Sequence, residues 1–334
     1  MPPEVIDKGI PTAGLLAHVL VAKHSDHLPL YRQEAIFGRA GLAIPRSTLA
    51  AWVGVCGVRL RPLVDALKAH VLRCAVVHAD ETPVSMLAPG TGKTHRAYLW
   101  LTRQAASRRC AQWSMTSPSA VPASMRGPSL GDWKGSLVCD DYGGYKALFA
   151  TGVIECGCLA HARRYFVELV KTAATAVEFI GQLYGIEREV KDMAPEQRLA
   201  ERQQRARPIA QALHAWLVAQ RTKVIDGGAT AKAIDYSLKR WAALMRYLDD
   251  PALPIDNNHD EQQIRPWATG RRNWLFAGTL LAGQRAAAIT SLIQSAKLNG
   301  HDPYVYLKDV LTRLPTHKGR EIDQLLPHIW QPRS

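Results

Sequence analysis

The spacing of apolar residues predicts helices over residues 13–73. Near the centre of this region, residues 31–40 form one helical stretch, Gly41 supplies a turn, and Ser47 has the side chain of an N-cap for a second helix. A DNA-binding helix-turn-helix shows this pattern, with its second helix in the major groove and Arg46 beside it. An ordinary helical hairpin shows the pattern equally well.

Between residues 74 and 157 the pattern changes to short β-type runs, rich in Val, Ile and aromatic residues and bounded by Gly, Pro or Ser. Three runs lie close together, a longer connection follows, and then come a fourth run, a fifth run and a helix. This order predicts an α/β core with a mixed five-stranded sheet flanked by helices. The runs are residues 74–80, 97–103, 111–115, 136–141 and 153–156.

Residues 160–250 are helical in pattern and highly charged, which indicates an insertion into the sheet domain. Pro195 suits the first turn of a helix, Gly300 ends a helix that starts near residue 283, and Asp302 caps the next one. The changes of pattern predict a helical N-terminal region (1–73), a first core segment (74–169), an all-helical insertion (170–250), a second core segment (251–315) and a C-terminal tail (316–334).

The composition favours a soluble protein with a polyanionic partner. The chain has 334 residues, with 42 Lys+Arg against 29 Asp+Glu, and no single tail accounts for the net charge of +13. Such a basic surface suits nucleic acid. No apolar run approaches the roughly 18 residues of a membrane span, and the N-terminus lacks the layout of a signal peptide. Six cysteines without a CxxC pair exclude a disulfide framework and fit a reducing cytoplasm.

Two motifs resemble ligand sites without completing them. Residues 88–94, APGTGKT, have Leu87 where a phosphate-binding loop needs Gly, and they lie between two predicted strands, so we interpret them as a hairpin turn. Cys158 and His161 have zinc-ligand spacing, and Cys156 could join them. A structural zinc needs four ligands, so this set favours a structural role for these residues.

Acidic residues at the ends of two predicted strands carry more information. Asp80 and Asp140 each close an apolar run, and each is followed by a second acid, Glu81 or Asp141. Because side chains alternate across a strand, only one acid of each pair can enter a shared site. A strand-end Asp is often a loop cap, but two of them in one sheet favour a metal site.

A third acid, Glu261, lies in the sequence IDNNHDEQQIRP at residues 255–266. With Asn258 as N-cap it could form a capping box that only begins a helix, and that helix is expected to end near Arg265, before Pro266. The neighbouring arginines and tryptophans suit a phosphodiester backbone instead. Three carboxylates would prefer Mg²⁺ or Mn²⁺ to zinc. The candidate phosphate-binding residues are Arg265, Arg271 and Arg272 here, with Arg163 and Arg164 after the fifth run.

Six segments of the sequence together resemble the transposases of the insertion-sequence 66 family, and the resemblance runs from about Gly14 to the C-terminal sequence QLLPH at residues 324–328. The resemblance implies a DDE enzyme with a ribonuclease-H-like core, in which Asp80, Asp140 and Glu261 are the first, second and third acids. The matching segments are VVHADETPV (76–84), SLVCDDYGGYKAL (136–148), GCLAHARRYF (157–166), IDNNHDEQQIRP (255–266), GRRNWLFAG (270–278) and SLIQSAKLNG (291–300).

The resemblance also implies what the chain does and what it binds. The three acids are expected to hold two Mg²⁺ or Mn²⁺ ions about 3.5–4 Å apart for DNA cleavage and strand transfer. The expected partners are double-stranded DNA at the element's terminal repeats and at the target, further copies of the chain assembled on that DNA, and companion proteins of the element. The expected location is the bacterial cytoplasm, at the nucleoid and not at a membrane.

Three departures from the family pattern support an alternative. Asp141 stands where relatives have a small residue, Gln262 and Gln263 replace a typical Arg-Ala, and the chain lacks the relatives' further N-terminal segment. The alternative is a truncated, non-catalytic DNA-binding protein that occupies the element's ends. A nuclease that cleaves without strand transfer is a further enzymatic alternative.

Overall fold

The structure is a computed structural model. It describes residues 4–6, 9–105, 110–116, 128 and 130–332, without the side chains of residues 170–172 and 259–262. The chain has a mixed α/β fold with one five-stranded sheet in the order β3-β2-β1-β4-β5, which confirms the predicted class and strand number. The strands are β1 (Val76–Ala88), β2 (Lys93–Gln104), β3 (Ala111–Thr116), β4 (Ser136–Cys139) and β5 (Ile154–Gly157).

The sheet is mixed because it contains both antiparallel and parallel strand pairs. β2 and β3 are antiparallel neighbours, whereas β4 is parallel both to β1 and to β5. Residues 89–92 join β1 to β2, with Gly90 and Gly92 at φ of 81° and 65°. Glycine adopts such angles without steric cost. The expected hairpin turn in the APGTGKT segment is therefore confirmed.

Fourteen α-helices complete the part of the chain that the structure describes. α8 begins at Pro195, and the Asp302 side chain accepts a hydrogen bond from Val305 N at 2.8 Å at the start of α14, as predicted. The helices are α1 (Ala13–His24), α2 (Leu30–Arg39), α3 (Arg46–Arg59), α4 (Arg61–Val71), α5 (Lys146–Phe149), α6 (Leu159–Val167), α7 (Val170–Val190), α8 (Pro195–Glu201), α9 (Arg207–Arg221), α10 (Ala229–Lys239), α11 (Trp241–Met245), α12 (Asn258–Trp274), α13 (Leu280–Leu298) and α14 (Pro303–Arg313).

The chain divides into two compact units. The first unit consists of Met1–Cys74, Asp80–Asp132 and Gln262–Ser334. Its largest apolar core combines α1, α3, α4, α13 and α14, and the Ser291 and Ser295 hydroxyls of α13 accept hydrogen bonds from the β3 backbone at 2.8 and 3.0 Å. The second unit consists of Ala75–Ala79 and Trp133–Glu261, including β4, β5 and helices α6 to α11. The domain boundaries drawn from the sequence stay a prediction.

The expected pair of helices near the N-terminus is present as α2 and α3, with Gly41 at φ 80° between them. The expected N-cap at Ser47 is wrong, because α3 already begins at Arg46. Glu34 Oε1 accepts a hydrogen bond from Arg46 N at 2.9 Å, so a side chain from α2 satisfies the helix start. This contact fixes the two helices to each other and suits both a helix-turn-helix and an ordinary hairpin.

No α-helix within the described ranges combines the length and the apolar character needed to cross a membrane.

Candidate functional site

The parallel strands β1 and β4 carry the first two predicted acids. Asp80 does not end its strand as expected, since β1 continues to Ala88, but it lies two residues after His78, the last β1 residue paired with β4. Asp140 directly follows β4, which ends at Cys139. Both carboxylates are therefore attached where parallel pairing stops, at the carboxyl ends of the paired segments.

The observed pairing of β1 with β4 stops shortly before both acids. Val76 pairs with Ser136 and His78 with Val138, so each acid lies two residues beyond the last position of its strand in this pairing. Because side chains alternate, Asp80 shares the face of His78, whereas Glu81 belongs to the opposite face. This alternation applies to Asp80 and Glu81 because β1 continues past both of them to Ala88.

The second pair of acids differs in its contacts. Asp140 Oδ1 accepts a hydrogen bond from Tyr142 N at 2.9 Å. The neighbouring Asp141 carboxylate lies 3.7 Å from the Arg240 guanidinium, which is only 7% exposed and also donates to Asp140 O at 3.1 Å and to the Glu155 carboxylate. Asp141 and Glu155 thus neutralise a buried arginine. Asp141 therefore has a structural contact that accounts for it.

Asn257 ties the beginning of α12 to the same end of β1. Its side chain is 1% exposed; its Oδ1 lies 2.6 Å from His78 Nδ1, and its Nδ2 donates to Ala79 O at 2.8 Å. Its backbone N donates to Cys158 Sγ at 3.2 Å. The residue before α12 is thereby bonded to the residue before Asp80. The sequence does not reveal this role of Asn257, because a polar residue before a helix is also the pattern of an ordinary cap.

The start of α12 differs from the expected capping box. Asp256 Oδ1 accepts a hydrogen bond from Asn258 N at 3.1 Å, so Asn258 is the first helical residue and not the N-cap. The other carboxylate oxygen of Asp256 accepts from Tyr184 OH at 2.7 Å. Burial, followed by the Asp256 charge, raises the pKa of Tyr184, so this phenol stays protonated and keeps donating. The helix also does not end near Arg265, since it continues through Pro266 to Trp274.

Glu261 lies in the first turn of α12, three residues after Asn258. At about 1.5 Å of rise per residue, its Cα is about 4.5 Å along the helix from the segment that Asn257 fixes. The Glu261 side chain lies outside the described residues. The structure therefore places the backbone of the third acid and leaves its carboxylate a prediction.

Two of the predicted DNA-binding arginines line one open cavity in the second unit. Arg163 and Arg164 are exposed on α6, and Arg188 of α7, which sequence analysis did not single out, lines the same cavity. The cavity has a volume of about 540 Å³, and Tyr184 and Asn258 form part of its wall. Three guanidinium groups around one opening suit an anionic ligand with several oxygen atoms.

The other predicted DNA-binding arginines belong to the first unit. Arg46, Arg265 and Arg272 are exposed. Arg271 is half-buried and donates to Pro83 O, and burial lowers its pKa. Arg271 therefore has a structural contact on β1. Trp267, expected near a phosphodiester, is buried in the core between β3 and α12, 6.3 Å from the Trp113 ring centroid.

Cys158 has a positioning role in the second unit. Its thiol accepts the hydrogen bond from Asn257 N, and burial raises its pKa to about 12. Among the side chains that the structure describes, Cys156, Cys158 and His161 form no group of three with ligand atoms within 4.8 Å of one another. This geometry agrees with the structural interpretation of Cys158.

Comparison with known proteins assigns the family. A family model described as "Transposase IS66 family" matches residues 8–285, and a second, described as "IS66 C-terminal element", matches residues 291–328. The chain belongs to the IS66 transposase family. The recognised resemblance is therefore confirmed over nearly the whole chain.

Three relatives from Sinorhizobium fredii are similar to this IS66 family member. The uncharacterized protein y4jD is 35% identical, over 99% of this chain and 68% of its own length. The uncharacterized proteins y4qI and y4hP are 37% and 32% identical, over 99% and 98% of this chain and 65% and 64% of their own lengths. The chain thus spans about two thirds of the length of these relatives.

Proposed function

We propose that this IS66 family member is a DDE transposase that cleaves DNA and transfers strands of an insertion sequence, with Asp80, Asp140 and Glu261 as its catalytic acids. The observation that carries the proposal is the junction of β1, β4 and α12. Asp80 and Asp140 each lie two residues beyond the His78–Val138 pair, and Asn257 bonds the start of α12 to His78 and Ala79. Family membership supports transposition in general.

The donor atoms fit the metal ions that this chemistry requires. Asp80 and Asp140 are both half-buried, and each offers hard carboxylate oxygens while one oxygen accepts a backbone N–H, from Glu81 and Tyr142 respectively. Such ligands suit Mg²⁺ or Mn²⁺. When bound, a pair of these ions supplies charge neutralisation and an activated oxygen nucleophile for phosphoryl transfer. Asp80, Asp140 and Glu261 would hold these ions. The proposed core is ribonuclease-H-like, and the mixed five-stranded sheet is compatible with it.

The chain's other residues hold and position the nucleic acid in this proposal. Arg163, Arg164 and Arg188 bind backbone phosphates of double-stranded DNA in their shared cavity, next to the first residue of α12. Arg46, Arg265 and Arg272 bind further phosphates from the first unit, and Arg271 acts through its contact with Pro83. Because catalysis of phosphoryl transfer depends on position and charge, no protein nucleophile is required.

The whole activity belongs to a larger assembly in this proposal. Two DNA ends must be cut and joined to a target, which favours several copies of the chain on terminal-repeat and target DNA, with companion proteins of the element. The relatives' additional length is a candidate source of end recognition. The bacterial nucleoid is the place where such a substrate is found.

A cleavage assay with matched neighbouring variants tests the proposal. Asp80→Asn and Asp140→Asn remove one anionic ligand each, while Glu81→Gln and Asp141→Asn make the same chemical change one residue further. We expect Mg²⁺- or Mn²⁺-dependent nicking and joining of DNA with the element's ends to fall below detection in the first two variants. The two neighbouring variants should keep it.

Two results would contradict the proposal. Folded Asp80→Asn and Asp140→Asn variants, checked by circular dichroism, could still cleave DNA. Alternatively, the unaltered chain could bind the same DNA without any metal-dependent cleavage, as the non-catalytic DNA-binding protein would.

A further inference from the structure

The first unit contains three metal-ligating side chains that the proposed function does not use. His70 lies in α4, Cys110 directly precedes β3, and His328 lies in a turn near the C-terminus. One ligand atom from each lies within 4.8 Å of the other two. Cys110 Sγ is 3.1 Å from His328 Nδ1, and the rings of His70 and His328 stack with centroids 3.9 Å apart.

The chemistry of this set differs from that of the acidic site. A thiolate and two imidazoles are the ligands that zinc selects, whereas Mg²⁺ takes oxygen ligands. Zinc bonds of about 2.0–2.3 Å in a tetrahedron put neighbouring ligand atoms about 3.3–3.6 Å apart, and three protein ligands leave one position for water. Sγ and Nδ1 are in hydrogen-bond contact at 3.1 Å, about 0.4–0.5 Å closer than the S···N spacing in this tetrahedron, so a small separation of the two atoms admits the ion.

The backbone beside each ligand is fixed by an independent contact. A backbone held in place before the ion arrives lowers the conformational cost of binding, so that only the side chains have to reorient. The contacts are Gln104 Nε2 to His70 O at 2.9 Å, Ser295 Oγ to Ala111 O at 3.0 Å, and His301 Nε2 with Pro327 O at 2.9 Å.

We propose that His70, Cys110 and His328 form a binding site for one Zn²⁺ ion, with the Cys110 sulfur and one ring nitrogen of each histidine as ligands. The Cys110 thiol releases its proton to solvent when the Zn–S bond forms. The half-buried His70 ring turns out of its stack on His328, so that a nitrogen lone pair points at the ion. His328 is the last residue that the IS66 C-terminal element matches, so the ion links this element to α4 and β3.

Metal retention by the full chain tests the site. The reduced protein is treated with a chelator, loaded with Zn²⁺ in the presence of excess Mg²⁺ and exchanged into metal-free buffer, and the zinc per chain is measured by mass spectrometry. We expect about one zinc per chain and a higher melting temperature than without zinc. Cys110→Ser and His70→Gln should lose at least nine tenths of the bound zinc, and Cys74→Ser, a half-buried thiol outside the group, should keep it.

Cobalt substitution shows whether the sulfur is a ligand. Co²⁺ bound through a thiolate gives a charge-transfer band in the near ultraviolet, which should be present in the unaltered chain and in Cys74→Ser and absent in Cys110→Ser. His70→Gln, a mild change on a helix, keeps the test valid if Cys110→Ser fails to fold. Less than one tenth of an equivalent of retained zinc in the unaltered chain, or equal retention in His70→Gln, overturns the proposal.

Discussion

At the scale of single residues, Asn257 is the most informative side chain outside the three acids. It accepts or donates hydrogen bonds at both ends of its amide, to His78 and to Ala79 O, and it is 1% exposed. A buried amide in this position costs free energy if its partners are lost, because His78 and the carbonyl would then be desolvated without compensation. Its conformation therefore determines where α12 begins relative to β1.

Replacing Asn257 should weaken both the fold and the proposed activity. We expect Asn257→Ala to lower the free energy of unfolding by about 1–3 kcal/mol, since two buried polar partners lose their hydrogen bonds. Urea denaturation with an unchanged slope measures this effect. Asn258→Ala, an exposed neighbour, should change the free energy of unfolding by only about 0.5 kcal/mol. Equal effects in the two variants would argue against Asn257 as the anchor of α12.

At the scale of elements, the helical segment around Arg202 holds the loop that leads to α12. Arg202 lies in a π-helical turn at Arg202–Ala206, between α8 and α9, and is 2% exposed. It forms a bidentate ion pair with Glu187 of α7, at 2.8 and 2.7 Å. The same guanidinium donates to the carbonyl oxygens of Tyr247, Asp250 and Leu253 at 2.7, 3.0 and 3.1 Å. All five donors of this arginine are accounted for.

This arrangement predicts a large effect from one substitution in the helical region. Arg202→Met leaves the Glu187 carboxylate, 14% exposed, without its partner and frees three carbonyl groups, so we expect a loss of about 3–5 kcal/mol. Thermal and urea unfolding measure it. The matched control is Arg205→Met, whose exposed ion pairs with Glu189 and Glu201 should contribute little to stability. A similar loss in both variants would show that Arg202 does not organise this region.

At the scale of the whole molecule, the net charge of +13 creates a positive field around the chain, and some of the arginines also cluster at particular surfaces. Arg163, Arg164 and Arg188 surround one cavity. Other arginines of the second unit form ion pairs, as Arg221 does with Asp226 and Asp235. In the second unit, the proposed phosphate-binding arginines are therefore the first group, which surrounds an open cavity.

The salt dependence of DNA binding distinguishes these two groups. Each phosphate contact contributes about 0.9 to the slope of log affinity against log salt concentration. A triple variant with Arg163, Arg164 and Arg188 replaced by Gln should therefore reduce the slope by about 2–3. Fluorescence anisotropy with labelled duplex DNA at several salt concentrations measures it. A control variant, Arg205→Gln with Arg221→Gln, should leave the slope nearly unchanged, and an equal reduction in the control would refute a localised interface.

Much of the fold could be predicted because its signals are local. Short runs rich in Val, Ile and aromatic residues indicate all five strands, and Pro195 and Asp302 mark helix starts that the structure confirms. Local rules failed where a distant group intervenes. The apolar pattern of residues 74–80 predicts that the first strand ends at Asp80, yet β1 continues past the exposed Pro83. The carbonyl oxygen of Pro83 accepts a hydrogen bond from Arg271 of α12. Likewise, Glu34 caps α3 one residue before the expected N-cap.

The sequence by itself determined the family, the order of the elements and the three acidic candidates, because motifs and periodicity are written in short stretches of chain. Only the tertiary structure decided that β1 continues past both acids of the first pair, that Asp141 contacts Arg240, and how the start of α12 reaches β1. It also brought together Arg188 with Arg163, and His70 with Cys110 and His328. The same holds for His78 and Asn257, which are 179 positions apart in the sequence and are hydrogen-bonded in the fold. Such pairings depend on strand register and packing, and no local spacing encodes them.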